Sequence, residues 1–222
     1  MGGWLFDPAH WSGSTGIPVR LLEHLGYTVF TLLIAAVIAI PLGAFVGHTG
    51  RGGFVIVGLS NALRALPTTA VLILVVLWAG LGDFPVYVAL VLLAIPPIMA
   101  GTYAGVRAVD PVTVDAARGV GMRESGVLLR VEIPNALPLI YGGFRGAALQ
   151  VVATATIAAY TGAGGLGRFV FDGLALQEFG QMLAGAVLVA LLAVLVDLGF
   201  AGLQRLTVSP GLRPVGTGGR RR

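Results

Sequence analysis

The chain has 222 residues, 56% hydrophobic and 11% charged, with a mean hydropathy of +0.91. A water-soluble domain carries neither so much apolar surface nor so little charge, which leaves the bilayer as solvent. All fourteen basic residues are arginine and the isoelectric point is about 10.1, but most arginines flank apolar segments, so membrane topology accounts for them and nucleic-acid binding does not. With no cysteine and three scattered histidines, disulfides, thiolate chemistry and a metal-ligand cluster are excluded, and no nucleophile stands beside a base; no cofactor and no enzymatic activity are expected.

Residues 1–19 read as an extracytoplasmic segment. Residues 1–11 lack a basic start followed by an apolar block, so no signal peptide is expected and the first crossing acts as its own insertion signal. Trp4 and Trp11 read as interfacial aromatics, with ligand contact as the alternative. Five stretches free of acidic and basic residues, at 25–50, 65–82, 84–106, 146–167 and 179–196, predict five crossings, because a spanning helix needs roughly 20 residues at about 1.5 Å each. The second is short unless residues 54–66 join it and bring Arg64 into the membrane. The expected fold is all-α and polytopic, with a transmembrane domain over residues 20–206.

Pairs of glycines four apart, Gly43 with Gly47, Gly101 with Gly105 and Gly142 with Gly146, predict close helix packing, within the chain or at a dimer seam. In the second crossing Asn61 and Arg64 share a face, and Pro67 breaks or kinks the helix just beyond them. Such groups are costly in lipid, so they line a protein interior or a wet pathway; the alternative for Arg64 is to snorkel to the cytosolic interface. Arg145, Gln150, Thr154 and Thr156 add polarity to the fourth crossing, with Gln150 and Thr154 one turn apart on what would be the same route. Asp83 and Asp197 read as interfacial carboxylates rather than a proton relay.

Residues 162–167 match G-x-G-x-x-G but follow an apolar helix instead of a strand, so they read as a tight external turn and not as a dinucleotide site. A chain without lysine has no Walker-type phosphate loop. The segment 108–134 gathers Asp110, Asp115, Arg118, Arg123, Glu124, Arg130 and Glu132. Asp110 caps a helix with Pro111 at its first position, and Gly119 and Gly121 end it. The small side chains of Ala116 and Ala117 would let another protein's surface approach. Placing this segment in the cytosol puts the N-terminus outside and Arg51, Arg107, Arg205 and the basic tail 207–222 inside, as the arginine bias requires.

Asp115-Ala116-Ala117, three residues, Gly121, nine residues, then Val131-x-Ile133-Pro134 resembles the E-A-A, x3, G, x9, I-x-L-P loop of binding-protein-dependent ABC importer permeases, with Asp for Glu, Val for Ile and Ile for Leu. Residues 40–43, 65–68, 102–106, 109–111, 162–167 and 173–176 resemble the branch that imports glycine betaine, choline and carnitine. The resemblance implies a type I importer fold. Asp115, Ala116, Ala117 and Gly121 would couple to a separate cytosolic ATPase, and Asn61, Arg64, Pro67, Gln150 and Thr154 would flank the pathway. It also implies a second permease copy or related permease, and an extracytoplasmic binding protein that holds the solute in an aromatic cage. The alternatives are a permease for methionine or another amino acid, and an ATP-independent channel or secondary carrier.

Overall fold

The computed structural model describes residues 2–209 and 211, which form helices and turns without a strand among them. The basic tail expected at 207–222 lies almost wholly outside the described residues. Helix α1 (Gly2–Leu5) and a 3-10 turn (Pro8–Trp11) lead into α2 (Ile17–Thr49), α3 (Gly53–Ala65), α4 (Thr68–Ala79) and α5 (Asp83–Arg107). Then come α6 (Pro111–Gly119), α7 (Glu124–Val127), a π turn (Leu128–Glu132) and α8 (Ile133–Thr154). A second 3-10 turn (Ala155–Thr161), α9 (Gly167–Ala175) and α10 (Phe179–Thr207) complete the chain.

Among the described residues, α2, α5, the run Glu124–Thr161 and α10 are each long and apolar enough to cross a membrane. Helices α3 and α4 meet that test only as a pair, bent by 79° at their junction, a broken span or a re-entrant loop, so the described residues hold four crossings, or five if the pair is one. The break has a local cause. Leu66, ahead of a proline, is held extended at φ −72°, ψ 124°, and Pro67 follows at ψ 115° before α4 begins.

Two crossings begin earlier than the uncharged stretches suggest. Helix α2 starts at Ile17 and takes in Arg20, Glu23 and His24, while α8 starts at Ile133 and takes in Arg145. Each charge has a partner: Arg20 pairs with Glu23 at 2.9 Å, and Arg145 reaches both carboxylate oxygens of Asp197 on α10. Asp197 is therefore an ion-pair partner between two spans, not a lone interfacial carboxylate, and Asp83 accepts a hydrogen bond from Tyr27 Oη at 2.8 Å. The turn expected at 162–167 covers 162–166, and α9 begins at Gly167. Gly162 and Gly165 take φ of +77° and +91°. The loop they form folds over the start of α2, where Gly165 N–H donates to Glu23 at 2.8 Å and Leu166 N–H donates to His24 Nδ1 at 3.3 Å.

Helix α5 is the centre of the bundle, packed by α2 and α8 and flanked by α3 and α4. Its buried Val86, Leu90, Ala94, Ile98 and Met99 meet Ala35 and Ala39 of α2 and Ala147 and Val151 of α8. Outward residues such as Phe30, Val37 and Phe45 of α2 and Leu195, Leu198 and Leu206 of α10 are exposed and apolar, the surface that lipid solvates.

The glycine pairs divide. An added Cβ would lie 2.7 Å from Met99 O at Gly43, 2.8 Å from Val106 Cβ at Gly47, 2.8 Å from Leu139 O at Gly101 and 2.9 Å from Ala136 at Gly105. These four let α2, α5 and α8 approach within the chain. A Cβ at Gly142 or Gly146 would meet nothing within 4 Å, and Gly143 is the close-packed position instead, where an added Cβ would lie 2.6 Å from Pro97 O. Gly101→Leu is therefore expected to destabilise the purified chain by about 1–3 kcal/mol, the usual cost of overpacking. Gly146→Leu, with nothing to displace, is expected to leave it unchanged. Thermal unfolding of both variants in detergent checks the contrast, and equal losses would refute the packing assignment.

Candidate coupling surface and intramembrane polar pocket

Helix α6 forms for the reasons its sequence states. Asp110 Oδ1 accepts from Val112 N–H at 2.9 Å, and Pro111 occupies the first helical position. The stop lies at Gly121, where φ is +84°; Gly119 remains helical and is not a breaker. Gly121 N–H donates to Arg118 O at 2.9 Å and Met122 N–H to Ala117 O at 3.2 Å, the paired bonds of a Schellman cap. Met122 then packs with Val109 and Val131 on the buried trio Val114, Ala117 and Val127.

That packing corrects one expectation. Ala117 is buried against its own loop, so the argument that small side chains admit a partner applies to Ala116, which is exposed beside Asp115, Arg118 and Gly121. These four form one face of a short, rigidly capped helix that projects from the bundle.

The same helix is wired to the spans through charge. Arg118 Nε and Nη2 donate to the two oxygens of Glu124 at 3.0 and 3.1 Å, with Asp115 at 3.4 Å. Glu124 lies 3.2 Å from His48 Nε2 on the last turn of α2, and the other ring nitrogen, Nδ1, lies 2.6 Å from the buried Glu132 at the end of the π turn. Glu124, with Asp115 behind it, holds the Arg118 guanidinium above its ordinary range. In return Arg118, helped by His48, holds the Glu124 carboxyl below the usual glutamate range. The charged residues of the loop were visible in the sequence, but His48 was not singled out; its only local signal is a basic residue in the last turn of a helix.

The residues expected to flank a pathway separate into two places. Asn61 and Arg64, exposed on α3, line one small cavity with the buried Ser60 and with Tyr103 of α5. Pro67 stands at the break beyond them. Gln150 is exposed and Thr154 partly exposed on α8, and neither lines that cavity, so within one chain the two sets form no continuous polar stripe. Arg145 leaves the set altogether through its pair with Asp197. Ser60 was missed although it lies one turn before Arg64; Tyr103 comes from another helix and has no local signature.

The family model described as "Binding-protein-dependent transport system inner membrane component" matches residues 39–208. The chain is 33% identical over 201 residues to a carnitine transport permease protein of Listeria monocytogenes, covering 90% of this chain and 92% of that one. It is 31% identical to a choline transport system permease protein of Bacillus subtilis, covering 87% and 89% of the two chains. An osmoprotectant import permease protein of Salmonella typhimurium is 35% identical, over 79% of this chain and 75% of its own. Among solved structures, an inward-facing methionine ABC transporter superposes with a TM-score of 0.76 at 20% identity, covering 91% of this chain and 99% of that one. An amino acid ABC transporter superposes with a TM-score of 0.62, also at 20% identity, over 84% and 90%.

Proposed function

Because this chain belongs to the family of binding-protein-dependent transport system inner membrane components, we propose that it is the membrane-spanning half of an importer for quaternary-amine compatible solutes. Family membership makes it a non-enzymatic permease of the cytoplasmic membrane. The rest of the reading is ours: a separate cytosolic ATPase seats on α6 through Asp115, Ala116 and the Gly121 cap, with Ala117 holding the helix to its base. A second permease copy completes the pathway past Asn61, Arg64, Pro67, Gln150 and Thr154. A binding protein delivers solute to the outer face, where the N-terminus lies.

The observation that carries this reading is the capped helix itself. Its exposed face is rigid, and the Arg118–Glu124–His48–Glu132 chain ties it to α2 and to the base of α8, so force applied at α6 reaches two spans at once. The preference for quaternary amines over amino acids rests on relatives above 30% identity that are named for carnitine, choline or osmoprotectants. The methionine and amino acid transporters, at 20%, support the fold alone.

Co-reconstitution of the chain with its ATPase and binding protein in proteoliposomes tests the proposal. ATP-dependent uptake of labelled glycine betaine, carnitine or choline, and not of methionine, is expected. Uptake that persists with an inactivated ATPase would instead favour a channel or secondary carrier.

A further inference from the structure

Three arginines on the helices around the bundle are matched to a carboxylate. Arg20 has Glu23, Arg145 has Asp197, and Arg168 has Asp172 at 3.2 Å. Among the described residues Arg64 has no ion pair and no side-chain hydrogen bond, and Asn61 beside it has no side-chain hydrogen bond either. One residue earlier, Ser60 is 5% exposed, and its hydroxyl is buried without a hydrogen-bond partner.

All three meet Tyr103 in a cavity of about 110 Å3 whose remaining lining, Ile56, Val57 and Ala100, is apolar. No acidic side chain lines it. The Arg64, Asn61 and Ser60 side chains thus line a carboxylate-free hollow, rich in donors and positive in charge, to which Tyr103 contributes a wall, its hydroxyl lying beside Gly53 at the other end of α3. Buried polar groups and membrane-embedded cations are costly when left unmatched, and where they persist they mark sites that something else completes. The location fits a route rather than a core. Ser60 forms the floor, while the exposed Asn61 and Arg64 stand at the rim, on the last turns of α3 before the 79° break.

We propose that this cavity is a carboxylate subsite on the translocation pathway. The carboxylate of a zwitterionic solute pairs with Arg64 and accepts hydrogen bonds from Ser60 Oγ and Asn61 Nδ2, while its quaternary ammonium stays outside the hollow. The inference rests on the quaternary-amine reading and sharpens it. Glycine betaine and carnitine carry the group the subsite takes; choline, which ends in a hydroxyl, does not.

The complete importer in proteoliposomes provides the test, with uptake of glycine betaine, carnitine and choline compared for the wild type, Arg64→Gln, Arg64→Lys and Ser60→Ala. Arg64→Gln is expected to lower uptake of the two carboxylate-bearing solutes at least tenfold more than uptake of choline. Arg64→Lys should fall between, and Ser60→Ala should show the same pattern at roughly threefold. Equal loss for all three solutes would overturn the subsite in favour of a role in assembly or gating, and undiminished uptake would return Arg64 to the interface. Vesicles of phosphatidylcholine alone, compared with vesicles containing phosphatidylglycerol, separate the sources of the anion: an Arg64→Gln defect that appears only with phosphatidylglycerol assigns the partner to lipid and overturns the proposal.

A second readout does not depend on transport. In wild-type chain embedded in nanodiscs, acetate is expected to protect Arg64 from modification by phenylglyoxal. Failure of protection sinks the subsite even if all three solutes are carried. Failure of the wild type to carry any of them sinks the importer reading even if acetate protects.

Discussion

Gly121→Val is expected to abolish ATPase co-purification and to lower solute uptake more than tenfold while leaving membrane insertion intact. The reason is conformational rather than steric, since an added Cβ at Gly121 meets nothing within 4 Å. Its φ of +84° lies in the left-handed region, which costs an L-residue roughly 1–2 kcal/mol, with β-branched side chains among the worst placed. A valine there drives the backbone out of that region and breaks the two bonds of the Schellman cap, and Met122 then loses its seat on Ala117. The face presented by Asp115 and Ala116 is no longer held at a fixed angle. Two further variants isolate the cause. Gly121→Asn, which tolerates the left-handed region, should keep most of the uptake, and Gly119→Ala, at a helical position facing open space, should stay within about twofold of the wild type. Undiminished uptake by Gly121→Val would show that the cap has no part in docking.

The same contrast explains which features were legible in the sequence. Signals that act over a few residues could be read directly: Asp110 and Pro111 starting α6, Pro67 breaking the second crossing, and long apolar runs setting the number of spans. Signals that depend on a partner far along the chain could not. Scanning for uncharged stretches placed the start of the first crossing at residue 25 and of the fourth at 146, because it cannot know that Arg20 has Glu23 or that Arg145 has Asp197; the helices begin at Ile17 and Ile133. Alanine spacing could not tell which of Ala116 and Ala117 faces inward, since Val127, on a later helix, decides it. Spacing of four likewise marked Gly142 and Gly146 as packing residues, whereas Gly143, one step around the helix, is the residue that touches α5. In the pocket, Asn61 and Arg64 were found from their shared helical face, but Tyr103 joins them from about forty residues further along the chain, a separation that only the fold closes.

Glu132→Ala is expected to uncouple transport from ATP hydrolysis. Glu132 sits at the end of a π turn, where Ile133 N–H bonds back to Leu128 O and the helix gains a residue over its normal repeat. Pro134 follows and withholds its own donor, so the irregular turn is built into the entry to α8. At this point the Glu132 carboxylate is buried against His48 Nδ1 at 2.6 Å, which makes it the one contact in the charge chain that lies inside the protein rather than on its surface. Exposed pairs such as Arg118 with Asp115 contribute little to rigidity, whereas removing a buried partner leaves the other group unmatched at a cost on the order of 1–3 kcal/mol. Without Glu132 the tie between α2 and the base of α8 is lost, and a swing of α6 no longer reaches the first span. Solute carried per ATP hydrolysed should fall several-fold with Glu132→Ala and less with Glu132→Gln, which keeps the volume and one hydrogen bond. The decisive measurement is a double-mutant cycle on that ratio: if the two residues act as a unit, His48→Ala together with Glu132→Ala is no worse than either alone. Losses that simply add, or a ratio that stays at the wild-type value while ATPase and uptake fall together, would show that the pair stabilises the fold and transmits nothing.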